Sequence, residues 1–353
     1  MKLFRCHCGN TLYFANTECV QCGRKLGFLP DQLRLAALEP DGEDRWISLP
    51  SAGADELRQT YRWCLNGISH DACNWMVPYD EPDPYCMACR LNEVVPNLQQ
   101  PGSRALWIRV EQRKRQLVYD LRRLRLPVIP KSVDAQGGLA FAFLEDQPDS
   151  LEFVAPNAGG GQVMTGHANG LITINIAEAD DVERERRRLE LNEQQRTLLG
   201  HFRHESGHYY WDRLVANSPM LDRIRECFGD ERADYNDALQ RYYNQGPRPN
   251  WQQTHVSAYA SAHPWEDWAE CWAHWLQITD SLEMAAAIGM AADDALAGDV
   301  DDKVRHWVDL ALKINLIMRS MDQNDAYPFV LTPIIIDKLR LVDEVIRNSG
   351  FSP

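Results

Sequence analysis

The hydrophobic and polar positions of the chain predict a small sheet that is followed by helices. In the segment LITINIAE, Ile172, Ile174 and Ile176 alternate with the residues of the opposite face. We expect this segment to be a half-buried strand with one apolar face, and GGLAFAFLED before it to be another strand. Apolar residues such as Leu198 and Phe202 recur at helical spacing in LLGHFRHESGHYYWDRLV. This second segment is therefore predicted to be a helix.

Further helices are predicted on both sides of this region. The segment SRALWIRVEQRKRQLVYDLRRLRLP is apolar near helical spacing, and we expect its basic residues, among them Lys114 and Arg115, to lie on a solvated face. In HPWEDWAECWAHWLQI, Pro264 suits the first turn of a helix, and the tryptophans supply apolar bulk for packing. The later segments KVRHWVDLALKINLIMRSM and TPIIIDKLRLVDEVIRNS are also typical of helices.

The charge balance disfavours nucleic acids and anionic membranes as partners. The 353 residues include 51 acidic and 37 basic side chains, so the formal net charge is -14 and such partners would be repelled. No apolar stretch approaches the roughly 18 to 20 residues that span a bilayer. The first residues, MKLFRCHCGN, lack the apolar core of a signal peptide. We therefore expect a cytoplasmic location and no membrane partner.

Eight of the ten cysteines lie within the first 89 residues, which in a reducing cytosol favours metal binding over disulfides. The first set consists of Cys6 and Cys8 in CHC and of Cys19 and Cys22 in CVQC. Two tight pairs with a short connection fit a tetrahedral zinc site, since all four sulfurs can reach one ion at about 2.3 Å. The glycine after each pair permits a positive-φ turn. We predict a structural zinc here, and the alternative, a redox dithiol, would be expected in a βαβ context that the sequence lacks.

A second cysteine set predicts a second structural zinc. It consists of Cys64, Cys73, Cys86 and Cys89, of which only the last two form a tight pair. The wide spacing of the first two leaves two alternatives open: His70 replaces one cysteine, or the two sets interleave. We favour two sites built from consecutive cysteines. Four thiolates leave no position for a substrate, so both sites would be structural.

The sequence His204-Glu205-Ser206-Gly207-His208 is an H-E-x-x-H motif on the predicted helix. Histidines four residues apart lie on one face, so both imidazoles can bind one metal ion. Glu205 lies about 100° round the same turn, where it can meet a water on the metal without being a ligand. Ser206 and Gly207 are small, and we expect them to leave room above the histidines. The alternative is a pair of ordinary helical histidines.

A catalytic zinc needs a third protein ligand and an open position for water. One metallopeptidase class takes a third histidine from H-E-x-x-H-x-x-G-x-x-H, but Trp211 and Leu214 stand at its last two fixed positions. Another class takes a glutamate from a second helix, where Glu266 and Glu270 share one face. We favour Glu266 as the ligand and Glu270 as the acceptor of an N–H from a ligand histidine. The reverse assignment stays open.

The sequence resembles the zinc-binding metallopeptidase family of bacteria that carries an N-terminal zinc ribbon. The resemblance is carried by CHCGNTLYFANTECVQCG, NGLITINIAEADDVERERRR, LLGHFRHESGHYYWDRL and HPWEDWAECWAHWLQI. The spacing of Tyr259, Glu266 and Glu270 is also distantly similar to that of the lethal-factor-type peptidases, which are gluzincins. This likeness implies that Glu266 binds zinc and that Tyr259 assists the transition state. Without it, Tyr259 could equally be a core residue.

The fold class predicted from these features is α+β. We expect a zinc-ribbon region with two four-cysteine sites at 1–98, a linking amphipathic helix at 99–130, and a mainly helical, gluzincin-like zincin domain with a small sheet at 131–353. Three zinc ions are expected, one catalytic and two structural. His204, His208 and Glu266 would bind the catalytic zinc, and Glu205 would activate its water for attack on a peptide bond.

These expectations lead to a zinc-dependent metallopeptidase that acts on a peptide or protein substrate. The strand LITINIAE, if it borders the cleft, could pair with an extended substrate. The zinc ribbons could bind a protein partner. One alternative is a catalytically silent scaffold that binds partners through its ribbons, and another is a nucleic-acid-associated protein, which the acidic charge disfavours.

Overall fold

The computed structural model describes residues 3–146, 153–154, 162–163 and 165–350 of the chain. The chain divides into two compact units. The first unit contains Met1–Arg123, Val128–Thr165 and Thr173–Asp180, and the second contains Leu124–Pro127, Gly166–Ile172 and Asp181–Pro353. Helices and strands are both present, with the cysteine-rich region first and a helical region after it, so the predicted α+β class is confirmed. The glycines at 159–161, between the two predicted strands, lie outside the described residues.

The first unit holds most of the strands. They are β1 (Phe4–Arg5), β2 (Thr11–Leu12), β3 (Leu26–Leu29), β4 (Arg34–Pro40), β5 (Trp46–Ser48), β6 (Thr60–Trp63), β7 (Met76–Pro78), β8 (Asn92–Val94), β9 (Ala140–Leu144), β10 (Phe153–Val154) and β11 (Gln162–Val163). The first two form an antiparallel hairpin, and β3 to β7 form an antiparallel sheet in chain order. The pair β8–β9 is parallel, as is the pair β10–β11.

The core of the first unit is aromatic. Phe28 on β3 stacks on Trp75 with ring centroids 4.6 Å apart, and Phe14 packs on Phe28 at 5.1 Å. On the β3–β7 sheet, Tyr61 and Met76 are fully buried beside residues of β3 and β4. Burial of these large rings removes much apolar surface from water and stabilises the sheet that follows the first cysteine set.

Within its described residues this unit has two α-helices, α1 (Leu65–His70) and α2 (Ser103–Arg123). The prediction that Lys114 and Arg115 lie on a solvated face is wrong, because α2 is buried on all sides from residue 114 to residue 121. The ammonium group of Lys114 lies 2.9 Å from the carboxylate of Glu111. The guanidinium of Arg115 donates to the carbonyl of Ala72. Both charges are tolerated in the core since each has a polar partner there.

Strand β13 (Leu171–Asn175) follows β12 (Gly166–Ala168), and the strand order of their sheet is β12-β13-β9-β8. The predicted strand is present, but it is not half-buried. Thr173 and Asn175, expected on the polar face, are both buried. The side-chain amide of Asn175 donates to Asp146 Oδ1 at 2.9 Å, and its oxygen accepts from Ala177 N at 3.0 Å. An inner strand of a sheet can be covered on both faces, and the polar residue is then satisfied by local hydrogen bonds.

The second unit is helical. Its helices are α3 (Asp181–Glu190), α4 (Leu198–Tyr210), α5 (Leu221–Phe228), α6 (Tyr235–Gln245), α7 (Pro264–Ala287), α8 (Val300–Ser320) and α9 (Pro333–Asn348). The longest, α7, packs against α4, α5, α8 and α9. Across the part of the chain that the structure describes, no helix combines the length and apolar character that a membrane crossing requires.

Helices α4 and α7 pack closely because of two small residues on α4. The indole N–H of Trp272 donates to the hydroxyl of Ser206 at 3.0 Å, and that of Trp268 donates to the carbonyl of Gly207 at 3.0 Å. A Cβ atom on Gly207 would lie 2.9 Å from the Cα of Ala269. The expectation that Ser206 and Gly207 leave room above the histidines is therefore wrong. These residues face α7 and let its backbone approach α4.

A buried ion pair joins α7 to α9. The ammonium group of Lys338 binds the carboxylate of Asp267, and it also donates to the carbonyl of Thr254 at 2.6 Å. Both side chains of the pair are almost fully buried. Because a lone buried charge is costly, the pair holds the N-terminal part of α7 in a fixed position against α9.

The tight contact at Gly207 predicts that Gly207→Ala destabilises the second unit. Overpacking of this kind costs about 1–3 kcal/mol, which exceeds the gain of up to about 1 kcal/mol from replacing glycine by alanine in a helix. Urea unfolding of wild type and variant measures the difference. Gly166→Ala is the control, since a Cβ there meets no atom within 4 Å. Equal or higher stability of Gly207→Ala would contradict the packing described here.

Candidate metal centre

Helix α4 places two histidines on one face. The helix begins after Thr197, whose hydroxyl accepts from the Gly200 N–H at 2.9 Å. His204 and His208 follow at a spacing of one turn, and their ring centroids are 4.9 Å apart. Their Nε2 atoms are 3.2 Å apart, so both rings are directed at a common point. The sequence motif therefore lies on a helix, as its spacing predicts.

Helix α7 brings Glu266 to the same point. The helix begins after His263, whose Nδ1 atom accepts from the Trp265 N–H at 3.1 Å, and Pro264 occupies its first turn. The Oε2 atom of Glu266 lies 3.0 Å from His204 Nε2 and 3.5 Å from His208 Nε2. The three ligand atoms lie within 4.8 Å of one another. In a tetrahedral zinc site with bonds of about 2.0–2.1 Å, ligand atoms are about 3.3–3.4 Å apart.

The Glu266 carboxylate is buried in a way that calls for a cation. Its side chain is 1% exposed, and within the described residues its Oε2 atom accepts no hydrogen bond. Burial raises the pKa of Glu266, but the electrostatic attraction of His208 and His204 outweighs it and holds the pKa well below its usual range. An ionised carboxylate oxygen buried without a donor is costly. Zn²⁺ would remove that cost, so the three residues fit this ion.

The second glutamate of α7 orients one of the histidines. Glu270 Oε1 lies 2.7 Å from His204 Nδ1, and its Oε2 accepts from the Ser257 hydroxyl at 2.6 Å. Burial lowers the pKa of His204, but Glu266 and Glu270 outweigh it and raise that pKa well above its ordinary value. A carboxylate on Nδ1 directs the lone pair of Nε2 toward the point shared with His208 and Glu266. This arrangement favours Glu266 as the metal ligand and Glu270 as the residue that orients His204.

Glu205, the glutamate within the motif, is close to the three residues but is not a member of their group. Its side chain is buried, and burial raises its pKa, while the two histidines act in the opposite direction. Glu205 therefore places one carboxylate beside the histidines and outside the group of three. A carboxylate in this position can accept a proton.

Two tyrosines lie close to the candidate ligands. The ring of Tyr259 lies 6.0 Å from that of His204, so the structure brings this predicted residue to the centre. The hydroxyl of Tyr235, at the start of α6, donates to Glu266 Oε1 at 2.5 Å. Tyr235 also interacts with Tyr259. Tyr235 was not singled out from the sequence, because it lies 31 residues before Glu266 and belongs to no spacing pattern.

Strand β12 lies beside α4. Contacts join α4 to β12, which comes first in the strand order β12-β13-β9-β8. Pairing of a substrate with LITINIAE requires that this segment border the cleft, and among the described strands the edge position beside α4 belongs to the preceding short strand, with the sequence Gly166-His167-Ala168. An inner strand has no free edge to offer, whereas the strand at the end of a sheet does.

The first cysteine set converges in the zinc-ribbon region. Cys6 Sγ and Cys22 Sγ are 3.8 Å apart, and Cys8 Sγ and Cys19 Sγ are 3.7 Å apart. Sulfurs around one tetrahedral zinc at about 2.3 Å are about 3.8 Å apart. Both pairs turn through a glycine with positive φ, at 89° for Gly9 and at 68° for the glycine after Cys22. All four cysteines are free and close enough to bind one ion.

The second set also converges, and it does so within its own residues. Cys64, Cys73, Cys86 and Cys89 lie within 4.8 Å of one another, and all four are buried. Cys73 and Cys86 have their sulfurs 3.6 Å apart. His70 is not part of this group and packs its ring on Trp107 at 5.6 Å instead. The two groups are thus consecutive in the chain and do not interleave.

Buried charge accompanies the second set. Burial lowers the pKa of Arg115, but Cys73, Glu111, Cys89 and Cys86 outweigh it and raise that pKa. Four thiolates and one Zn²⁺ would together carry two negative charges. The buried guanidinium of Arg115 would offset part of that charge.

Comparison with known proteins places these observations in a family. Residues 103–345 match the model of the family described as "Putative zinc-binding metallo-peptidase", and residues 3–100 match a zinc-ribbon domain. The first match covers more than half of the chain, and the chain belongs to that metallo-peptidase family. The resemblance to a zinc-binding metallopeptidase family with an N-terminal zinc ribbon is confirmed. Zinc binding is supported by the family matches together with the two cysteine groups.

The relatives extend over nearly the whole chain. The chain is 38% identical to "Uncharacterized protein Mb2598c" of Mycobacterium bovis and to "Uncharacterized protein Rv2568c" of Mycobacterium tuberculosis, over 98% of this chain and 95% of each relative. No solved structure matches the chain. The expected cytoplasmic location and the roles of individual site residues stay predictions.

The geometry predicts different effects for the two glutamates of α7. Glu266→Ala should lose the zinc of this centre, because it removes a ligand oxygen. Glu270→Ala should keep that zinc with an affinity lowered about 10- to 100-fold, since it removes only the support of His204. Elemental analysis after dialysis against chelators of graded strength measures both effects. If Glu270→Ala lost the zinc of this centre and Glu266→Ala kept it, Glu270 would be the ligand and Glu266 the supporting residue.

Proposed function

We propose that the chain is a zinc-dependent peptidase whose active centre lies between α4 and α7. His204, His208 and Glu266 would hold the ion. One observation carries this proposal: two imidazole nitrogens and one buried carboxylate oxygen converge with the separations of tetrahedral zinc ligands. Three protein ligands leave a fourth position, which distinguishes this centre from the two cysteine groups.

Peptide hydrolysis needs a base, and Glu205 is the residue placed to act as one. When bound, zinc would supply a Lewis acid that polarises the peptide carbonyl and lowers the pKa of water to about 7. Glu205 would accept a proton from the attacking water and deliver it to the departing amine. Its burial beside the histidines keeps it close to the reacting groups without making it a ligand.

Two further residues would assist the reaction. Glu270 would hold His204 through Nδ1, which fixes the ring and its tautomer. The hydroxyl of Tyr259 would donate a hydrogen bond to the oxyanion that forms when water attacks the carbonyl. Its ring position beside His204 supports this role. Loss of Tyr259 should then affect turnover more than zinc binding.

The proposed substrate is a peptide or protein segment in an extended conformation. Strand β12 ends the described sheet and lies beside α4, so it could pair with an extended substrate through backbone hydrogen bonds. Such pairing fixes the direction of the substrate across the zinc ligands. It also excludes small amides, which cannot form a strand.

The cysteine groups would hold two structural zinc ions, for a total of three per chain. The zinc ribbon could in addition bind a protein partner. The division into a ribbon region at 1–98, a linking helix at 99–130 and a peptidase domain at 131–353 stays our proposal. A catalytically silent scaffold would keep the same zinc ribbons, but it would not require Glu205 and Tyr259 beside the three candidate ligands.

The proposed mechanism predicts that Glu205→Gln keeps the zinc of the centre and loses hydrolysis. The amide cannot accept a proton, and loss of a general base costs about 100- to 10,000-fold in rate. A peptide library analysed by mass spectrometry identifies a substrate, and its cleavage rate is then compared between wild type and variant. Elemental analysis of the same samples reports the zinc content.

Glu226→Gln is the matched control, since Glu226 is exposed on α5. Its cleavage rate should equal that of wild type. Full cleavage by Glu205→Gln would disprove the role of Glu205. Absence of cleavage by zinc-loaded wild type across the library would favour the silent scaffold.

A further inference from the structure

Tyr235 occupies one oxygen of the Glu266 carboxylate. It is the first residue of α6, which begins after Asp234, and the side chain of Asp234 accepts from the Asp237 N–H at 2.8 Å. The hydroxyl of Tyr235 donates to Glu266 Oε1, while Oε2 is the oxygen close to His204 and His208. The two oxygens of one carboxylate therefore have different surroundings.

The ring of Tyr235 is fixed by the residues that flank Glu266 at the start of α7. It packs edge-on against His263 at 5.2 Å and against Trp265 at 5.9 Å. Trp265 in turn packs on His208 at 4.6 Å. The hydroxyl is consequently held in one place relative to Glu266, with little freedom to be lost when the hydrogen bond forms.

The use of a single oxygen matters for the chemistry of the centre. A carboxylate can bind a metal ion through one oxygen or through both. Two histidines and a two-oxygen carboxylate would fill four positions around zinc, whereas one oxygen leaves a position for water. A hydrogen bond on Oε1 makes that oxygen a poorer ligand and fixes the rotation of the carboxylate.

We propose that Tyr235 is a positioning residue that holds Glu266 so that Oε2 alone faces the metal. The inference rests on the proposed function, because it takes the ion to be bound by His204, His208 and Glu266. It adds a third helix, α6, to the two that supply the ligands. Tyr235 touches neither substrate nor metal in this role and acts through Glu266.

The test compares Tyr235→Phe with Tyr242→Phe in the full chain. Both substitutions remove only a hydroxyl from α6, and Tyr242 contacts the ring of Tyr259 rather than Glu266. Zinc affinity is measured by competition with chelators of graded strength. The zinc that His208→Ala retains is assigned to the cysteine groups and is subtracted from the zinc content of each variant. Tyr235→Phe should weaken zinc binding at this centre about 10- to 100-fold, and Tyr242→Phe should leave it at the wild-type value.

A double-mutant cycle separates positioning from a general effect on folding. Zinc affinity is measured for Glu266→Gln with and without Tyr235→Phe. If Tyr235 acts through the Glu266 carboxylate, its removal should have a clearly smaller effect in the Glu266→Gln background than in wild type. A purely structural role would give the same effect in both backgrounds and would overturn the proposal.

The remaining outcomes are also decisive. Equal zinc affinity for Tyr235→Phe and wild type would overturn the role of Tyr235 and leave the proposed peptidase centre intact. If His208→Ala retained as much zinc as wild type, the centre would hold none, and the proposed function would fail together with this inference.

Discussion

The close contact between α4 and α7 is the constraint on which the candidate metal centre depends. His204 and His208 come from one helix, and Glu266 and Glu270 from the other, so the four side chains meet only if the backbones approach closely. Gly207 makes the approach possible, and the indoles of two tryptophans on α7 fix it by donating to α4. The same motif thus has two faces. Its histidines face the centre, and its small residues face the partner helix.

Charge is the second constraint on the molecule. Glu266 and Glu205 are buried and Glu270 is half-buried beside them, which would be unfavourable for three carboxylates without a nearby cation. The two cysteine groups present the same problem for thiolates, and in the second group Arg115 contributes the opposite charge. A zinc ion at each of the three places would compensate the buried negative charge there.

Spacing rules predict those parts of the centre that are local in sequence. His204 and His208 are one helical turn apart, as are Glu266 and Glu270, and two short-spaced cysteine pairs make the first group recognisable. Features that depend on packing between distant segments could not be predicted in this way. Lys114 was expected at the surface and is buried, because strands distant in the sequence pack on α2. Its ammonium group donates to the side chain of Asn92 on β8 and lies 5.6 Å from the ring of Phe143 on β9. Tyr235 gives no signal in the sequence, since its partner is 31 residues away on another helix.

The central claim is that His204, His208 and Glu266 bind a zinc ion that is separate from the two cysteine groups. Elemental analysis of purified wild type and of His204→Ala, prepared side by side, tests it most directly. We expect about three zinc ions per chain in wild type and about two in the variant, because each cysteine group would keep its own ion. Equal zinc content in the two proteins would contradict the claim.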